Sequence, residues 1–266
     1  MFGEASRDRF FLGAGDDYGA ARVVLVGAGL DATVCFRPGT REGPGAVRHF
    51  SQCLEEYSLH LGRDIREAPF YDCGDVDLPF GDVTEALDRI EQVAAGVLSD
   101  GKIPVFIGGE HLITFPVIKA VSRRYPEVVV LHLDAHADLR DEYLGVRFSH
   151  ATVMRRVVEL LGPGRVYQFG IRSADRAEVA FARDNTRLYP YQVSEPLAAV
   201  CREIAAKPVY VTLDMDLVDP AYAPGVGTPE PGGISSGEII EAVYQFARLD
   251  IVGLDVVEVN PVYDPG

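Results

Sequence analysis

Apolar residues along this 266-residue chain fall into two alternating patterns. Short continuous runs rich in β-branched residues recur at Arg22–Val26, Ile103–Ile107, Glu127–Leu133, Val166–Gly170, Val209–Leu213 and Ile251–Val257. Such runs suit parallel strands covered on both faces, whereas a half-exposed strand would alternate with polar residues. Between the runs the apolar spacing lengthens to three and four. Val83, Ala86, Leu87, Ile90, Val93, Ala94 and Val97 form one amphipathic stripe, with Asp82 placed to cap it and Glu85 three residues on. A second helix is expected from Ser235, where Glu238 completes a capping box before Ile239, Ile240 and Val243. This alternation predicts an α/β fold, a three-layer α/β/α sandwich with a mostly parallel sheet. No linker-like stretch divides it, so residues 1–266 are expected to form a single domain.

Composition narrows the class. A hydrophobic content of 47% with 27 glycines and 17 prolines describes an ordinary globular chain rich in turns. Acidic side chains outnumber basic ones by 40 to 25, a formal net charge of −15. That field repels nucleic acid and anionic lipid, favours solubility, and is compatible with a cationic substrate. Cys35, Cys53, Cys73 and Cys201 contain no CxxC pair and are expected to be reduced, buried thiols of a cytoplasmic protein. The opening MFGEASRDRF lacks the apolar run of a signal peptide, and no apolar stretch is long enough to span a bilayer.

Ligands of open α/β sheets bind beyond the carboxyl ends of the strands, and there the unusual chemistry collects. Ile103–Ile107 runs into Gly108-Gly109-Glu110-His111. The strand ending at Leu133 runs into Asp134-Ala135-His136-Ala137-Asp138, and the one ending at Leu213 into Asp214-Met215-Asp216. A fourth run delivers Glu258. While the chain stays extended, residues two apart project to one side, so Asp134, His136 and Asp138 are expected to converge, as are Asp214 and Asp216. With His111 this makes two imidazoles and four carboxylates on one rim. Two divalent cations would offset the four negative charges, and the oxygen-rich, cysteine-free set favours Mn²⁺ over a structural zinc. Cations about 4 Å apart can share a water and lower its pKa toward neutrality.

Any single Asp here is more often a helix cap or turn former than a ligand. His132, alternating with Leu131 and Leu133, is expected to be a hydrogen-bonded core residue. Three such motifs, each behind its own strand, are hard to explain as caps. A competing pattern is Gly27-Ala28-Gly29-Leu30-Asp31-Ala32, where Gly27, Gly29 and Ala32 match the dinucleotide fingerprint of a nicotinamide-dependent oxidoreductase. That site needs a helix to start at the glycines, whereas loop chemistry follows up to Gly43-Pro44, and helical spacing resumes with Ala46, Val47, Phe50, Cys53, Leu54 and Tyr57.

Taken together, the motifs resemble the ureohydrolase family of arginases, agmatinases and relatives. The match spans nearly the whole chain: FRPGTREGP at 36–44, CGDVDLPFG at 73–81, GGEHLITFP at 108–116, HLDAHADLRDEYLG at 132–145, SHATVMRR at 149–156, FGIRS at 169–173, TLDMDLVDPAYAPGVGTPEPGGIS at 212–235 and GLDVVEVNPVYD at 253–264. The resemblance implies an arginase/deacetylase-like sandwich and two Mn²⁺ per subunit, with His111, Asp134, His136, Asp138, Asp214 and Asp216 as ligands. It implies that His150 shuttles a proton, although the position also suits a cap for the helix that follows. Asp138 would help hold the attacking hydroxide, Glu258 would bind the substrate's guanidinium, and Thr228 would line the same pocket.

Where arginases carry a polar SGNLHG-like segment, this chain reads Leu144-Gly145-Val146-Arg147-Phe148-Ser149-His150, as bacterial and archaeal agmatinases do. Arg147 is expected to be a solvated loop residue. The implied reaction is hydrolysis of agmatine, a small cationic guanidino compound, to urea and putrescine. Guanidinobutyrate, N1-aminopropylagmatine and arginine are the alternatives. Relatives are commonly homo-oligomers, trimers or hexamers. They also continue into a last helix, which this chain, ending at Asp264-Pro265-Gly266, is expected to lack.

Overall fold

The computed structural model describes residues 10–264. Most of the opening segment read for a signal peptide, and the last two residues, on which the expectation of a missing final helix turned, lie outside the described residues. In chain order the elements are β1 (Val23–Ala28), α1 (Gly43–Ser51), β2 (Tyr57–Ser58), β3 (Arg63–Asp64), β4 (Phe70–Asp75), α2 (Val83–Ser99), β5 (Ile103–Gly108), α3 (Thr114–Arg124), β6 (Val129–Leu133), α4 (Val153–Leu161), β7 (Val166–Phe169), α5 (Arg176–Asn185), β8 (Arg187–Tyr189), α6 (Ser194–Glu203), β9 (Pro208–Asp214), α7 (Ser236–Gln245) and β10 (Asp250–Val257).

Eight strands make one sheet in the order β4-β1-β5-β10-β9-β6-β7-β8, with every pairing parallel. The six expected strands are all present. The sheet's edge strands were not anticipated, and each has a physical reason to escape a search for apolar runs. β4 reads Phe-Tyr-Asp-Cys-Gly-Asp, and β8 is three residues long and half exposed. The helix expected from Ala46 to Tyr57 instead runs Gly43–Ser51, because Pro44 is tolerated in the first turn and Tyr57 pairs with Asp64 in the β2–β3 hairpin.

Strand periodicity sorts the core into two layers. In β6, Val130 faces one apolar cluster with α2, α3 and α4, whereas Val129, Leu131 and Leu133 face a second with α6 and α7. In both layers each fully buried Leu or Val contributes about 1.5–3 kcal/mol. Asp82 caps α2 by accepting from Glu85 N at 3.0 Å, and Ser235 and Glu238 complete the capping box of α7. The cysteines depart from expectation. All four are free, but Cys35 and Cys53 are exposed and Cys73 is half-buried, leaving only Cys201 in the core, because the first two sit on a loop and just past a helix end. Among the described residues no helix is long and apolar enough to cross a membrane.

A candidate two-cation centre at the carboxyl rim

β5, β10, β9 and β6 lie side by side in mid-sheet, so their carboxyl ends open onto one rim. Six side chains meet there in two groups that share one carboxylate. His111 Nδ1 lies 3.0 Å from Asp134 Oδ2, 3.2 Å from Asp138 Oδ2 and 3.2 Å from Asp214 Oδ2. His136 Nδ1 lies 2.8 Å from Asp216 Oδ2 and 3.7 Å from Asp134 Oδ1. Asp134 thus turns one oxygen to each group.

The convergence holds, but not through extended chain as expected. Asp138 enters the left-handed region at φ 54°, which swings it to His111 while His136 goes to the other group. Asp216 sits in a 3-10 turn whose N-cap is Asp214, with Asp214 Oδ1 accepting Asp216 N at 2.8 Å. Glu258 is left-handed too, at φ 64°. Two non-glycine residues in that region at one rim hold about 1–3 kcal/mol of strain each.

The donor atoms suit divalent cations. His111 Nδ1 is buried and has no hydrogen-bond partner, while its Nε2 is 2.9 Å from Thr212 Oγ1. With that far nitrogen bound to Thr212, the lone pair of Nδ1 faces the three carboxylates. Separations of 3.0–3.2 Å between these donors match the edge of an octahedral shell, about 3 Å for bonds of about 2.1–2.2 Å. Electrostatics point the same way. Burial and neighbouring carboxylates raise Asp214 and Asp216 above the usual carboxylate range. Burial disfavours the His111 and His136 imidazoliums, yet the surrounding carboxylates raise both imidazoles. Added positive charge would favour the ionised forms of Asp214 and Asp216.

His132 is wholly buried, 2.8 Å from Asp134 Oδ2 through Nε2, while Gln168 Nε2 donates to its Nδ1 at 3.0 Å. It is the hydrogen-bonded core residue expected, and it steadies the shared carboxylate. Glu258 Oε1 accepts His111 N at 2.8 Å. Burial, with Glu110 and Asp216 nearby, pushes its carboxyl up to about 8 against the effect of that bond. His150 Nδ1 lies 3.2 Å from Thr33 Oγ1, and its ring meets Tyr143 edge-on at 5.6 Å. Burial and the neighbouring His136 and His111 lower its pKa against the pull of Asp138. Ser149, not His150, caps the following turn, in a capping box with Thr152.

A cavity of about 260 Å³ joins these groups: His111, His136, Asp138, Asp214 and Asp216 line it together with His150, Thr228 and Glu258. Sequence reasoning missed Tyr143, Arg140, Asp175 and Glu178, which line the same cavity. Arg140 lies 3.1 Å from Asp175 and 3.7 Å from Glu178. Only their side-by-side place on the wall identifies them, since single polar residues far apart in sequence carry no signal. Val146 and Phe148, read as replacing a polar pocket segment, line a neighbouring groove instead. Arg147 is on the surface, 3.0 Å from Glu159, as expected of a loop arginine. Gly27 and Gly29 meet no helix N-terminus, because the next helical turn starts at Thr40. The dinucleotide reading therefore lacks its geometry.

Arg172 was quoted in FGIRS without a role. Its guanidinium donates to the carbonyls of Asp216, Leu217, Glu230 and Pro231 at 2.7–3.2 Å, tying the Asp216 turn to the loop that carries Thr228.

The family model described as Arginase family matches residues 21–266. The agmatinase of Bacillus subtilis is 45% identical over 266 residues, covering 99% of this chain and 92% of the relative. The guanidinobutyrase of Pseudomonas aeruginosa is 36% identical, covering 92% and 81%. The crystal structure of the agmatine ureohydrolase of Thermoplasma volcanium superposes with a TM-score of 0.87 at 35% identity, covering 97% of this chain and 88% of that one.

Proposed function

The chain belongs to the arginase family, and from that premise we propose that it hydrolyses agmatine to urea and putrescine, with Mn²⁺ as the resident ion, two per subunit. The observation that carries the reading is the pair of His/Asp groups sharing Asp134, with Glu258 facing the same cavity.

In this reading His111, Asp134, Asp138 and Asp214 hold one cation, and His136, Asp216 and the second oxygen of Asp134 help hold the other. Bound there, two divalent cations supply an activated water at neutral pH. The protein's own groups do the rest. Glu258, as carboxylate, accepts two N–H bonds from the planar guanidinium and presents its carbon to the cation side of the cavity. Asp138, turned inward by its left-handed backbone, orients the attacking water. Water oxygen bonds to the guanidinium carbon, the C–N bond to the butyl chain breaks with its electron pair left on nitrogen, and the two protons shed by the water end on the departing amine, one of them passed by His150. Thr228 bounds the pocket beside Glu258.

Substrate choice follows from charge along the wall. Glu258 is 6% exposed, whereas the Arg140 and Asp175 side chains are 37% and 40% exposed and mark the open end. Two carboxylates against one guanidinium leave that end negative, which favours the second cation of agmatine over the carboxylate of guanidinobutyrate or arginine. The measurement is urea release from a panel of guanidino compounds with added Mn²⁺. Agmatine should give the highest kcat/KM, and urea from none of the panel would reject the reading. We further read residues 1–266 as one cytoplasmic domain that assembles into a trimer or hexamer, supported by the exposed Leu59 and Phe80. Sedimentation of the purified chain as a monomer would reject the assembly.

A further inference from the structure

Glu258, the proposed acceptor of the guanidinium, is pinned in three ways. Its backbone is left-handed at φ 64°, its N donates to Gly109 O at 2.8 Å, and its Oε1 accepts His111 N at 2.8 Å. Beside Oε2 lies the buried Gly227, where an added Cβ would come 3.0 Å from Oε2 and 3.6 Å from Arg37 O. The φ of Gly227 is outside the left-handed region, so space and not backbone freedom calls for glycine there. The segment that carries it cannot retreat. At its neck Asp219 Oδ2 accepts Gly232 N at 2.8 Å and Gly233 N at 3.1 Å, and Arg172 binds the Glu230 and Pro231 carbonyls. Further along, Asn260 N donates to Gly225 O at 2.7 Å. The buried Asn260 side chain donates through Nδ2 to Arg37 O at 3.0 Å and to Pro38 O at 3.2 Å. Gly227 is thus fixed beside the Glu258 carboxylate, and neither is free to yield.

A guanidinium N–H bonded to a carboxylate brings its nitrogen to about 2.7–2.9 Å from the oxygen. A methyl group 3.0 Å from that same oxygen would compete for the approach, or press on a carboxylate that has nowhere to go. We propose that Gly227 is a specificity-determining residue: by carrying no side chain it keeps Oε2 of Glu258 open to the planar N–H edge of the substrate's guanidinium. This rests on Glu258 being the guanidinium acceptor. Oε1 keeps a second lone pair after accepting His111 N, so both oxygens can meet the guanidinium fork, but only while Oε2 stays clear.

The test is calorimetric binding of butylguanidine, which carries a guanidinium and no second charge, to the Mn²⁺-loaded protein. Gly227→Ala should weaken that binding about 10- to 100-fold, the loss of one charged hydrogen bond, with metal content unchanged. On agmatine KM should rise by a similar factor, with kcat changed less than about fivefold. Glu258→Asp draws the carboxylate back by one methylene and makes room for the methyl. In that background, adding Gly227→Ala should weaken butylguanidine less than about threefold, and this pair still reports if Gly227→Ala alone fails to fold. Unchanged butylguanidine affinity in Gly227→Ala, a fall in kcat with KM unaltered, or an equal loss in the Glu258→Asp background would each overturn the inference. No binding by the unaltered protein, or binding undiminished by Glu258→Gln, would instead remove the acceptor reading beneath it.

Discussion

Among the described residues, the buried Asp72 at the sheet edge and the aspartates of the rim are neutralised in opposite ways. At the sheet edge, Asp72 is closed by Arg48, whose Nε and Nη2 reach its two oxygens at 2.8 and 2.9 Å, and whose Nη1 binds Asp75. Phe11 N and Gly74 N fill the remaining acceptor positions of Asp72. The charge is supplied in cis, and the cluster is complete as built. At the rim, the only basic side chains paired with Asp134, Asp138, Asp214 and Asp216 among the described residues are imidazoles, and His111 Nδ1 has no hydrogen-bond partner. A guanidinium cannot leave and cannot activate water. The rim aspartates, facing imidazoles and no guanidinium or ammonium partner among the described residues, suit the exchangeable cations proposed above.

Substitutions can break this contrast at either end. The largest effect is expected at the shared carboxylate: Asp134→Asn should lose bound divalent metal and lower kcat/KM on the order of 10³-fold or more, read by elemental analysis and urea release. Two metal ions retained at full occupancy would contradict the ligand assignment. At the other cluster, Arg48→Ala leaves Asp72 buried without its cation and should cost about 3–5 kcal/mol in denaturant unfolding. Metal content per folded chain should be unchanged, and a loss there would mean the clusters are not independent.

A smaller effect concerns protonation. Burial raises Glu258 to about 8, so the carboxylate form proposed to bind guanidinium is the minority below that pH and gains as pH rises. On the acid side kcat/KM should climb about tenfold per pH unit and level off no higher than about pH 8, since nearby cations favour the ionised form. Glu258→Gln should flatten this limb, and a profile unchanged by it would assign the limb elsewhere. The smallest effect belongs outside both clusters. Arg147→Ala removes an exposed ion pair with Glu159 and should shift stability by less than about 1 kcal/mol, with kcat unchanged in the urea assay.

Much of this was legible in the chain. Buried parallel strands must be continuously apolar, so six strands announced themselves, and the polar residues that interrupted those runs at their carboxyl ends marked the rim. The six convergent side chains were therefore readable, as was His132 by its strand parity. The edge strands β4 and β8 were not, because an edge needs little apolar sequence. Nor were Arg140, Asp175 and Thr33, each a single ordinary residue on a loop, or Glu178 in the first turn of α5, because their partners at the site lie far along the chain.

By itself the sequence determined which strands end in clustered histidines and aspartates, since burial on two faces leaves polar side chains nowhere to go but the ends. Only the tertiary structure decided which ends become neighbours. β5 and β6 are consecutive among the strands, yet β10 and β9, last in the chain, lie between them and bring Glu258 and Asp214 to the middle of the rim. Parallel pairing by backbone hydrogen bonds carries no label of partner, so that order is settled by how helices cover the two faces. The sharing of Asp134 between two groups, and the reach of Thr33 to His150, follow from that order alone.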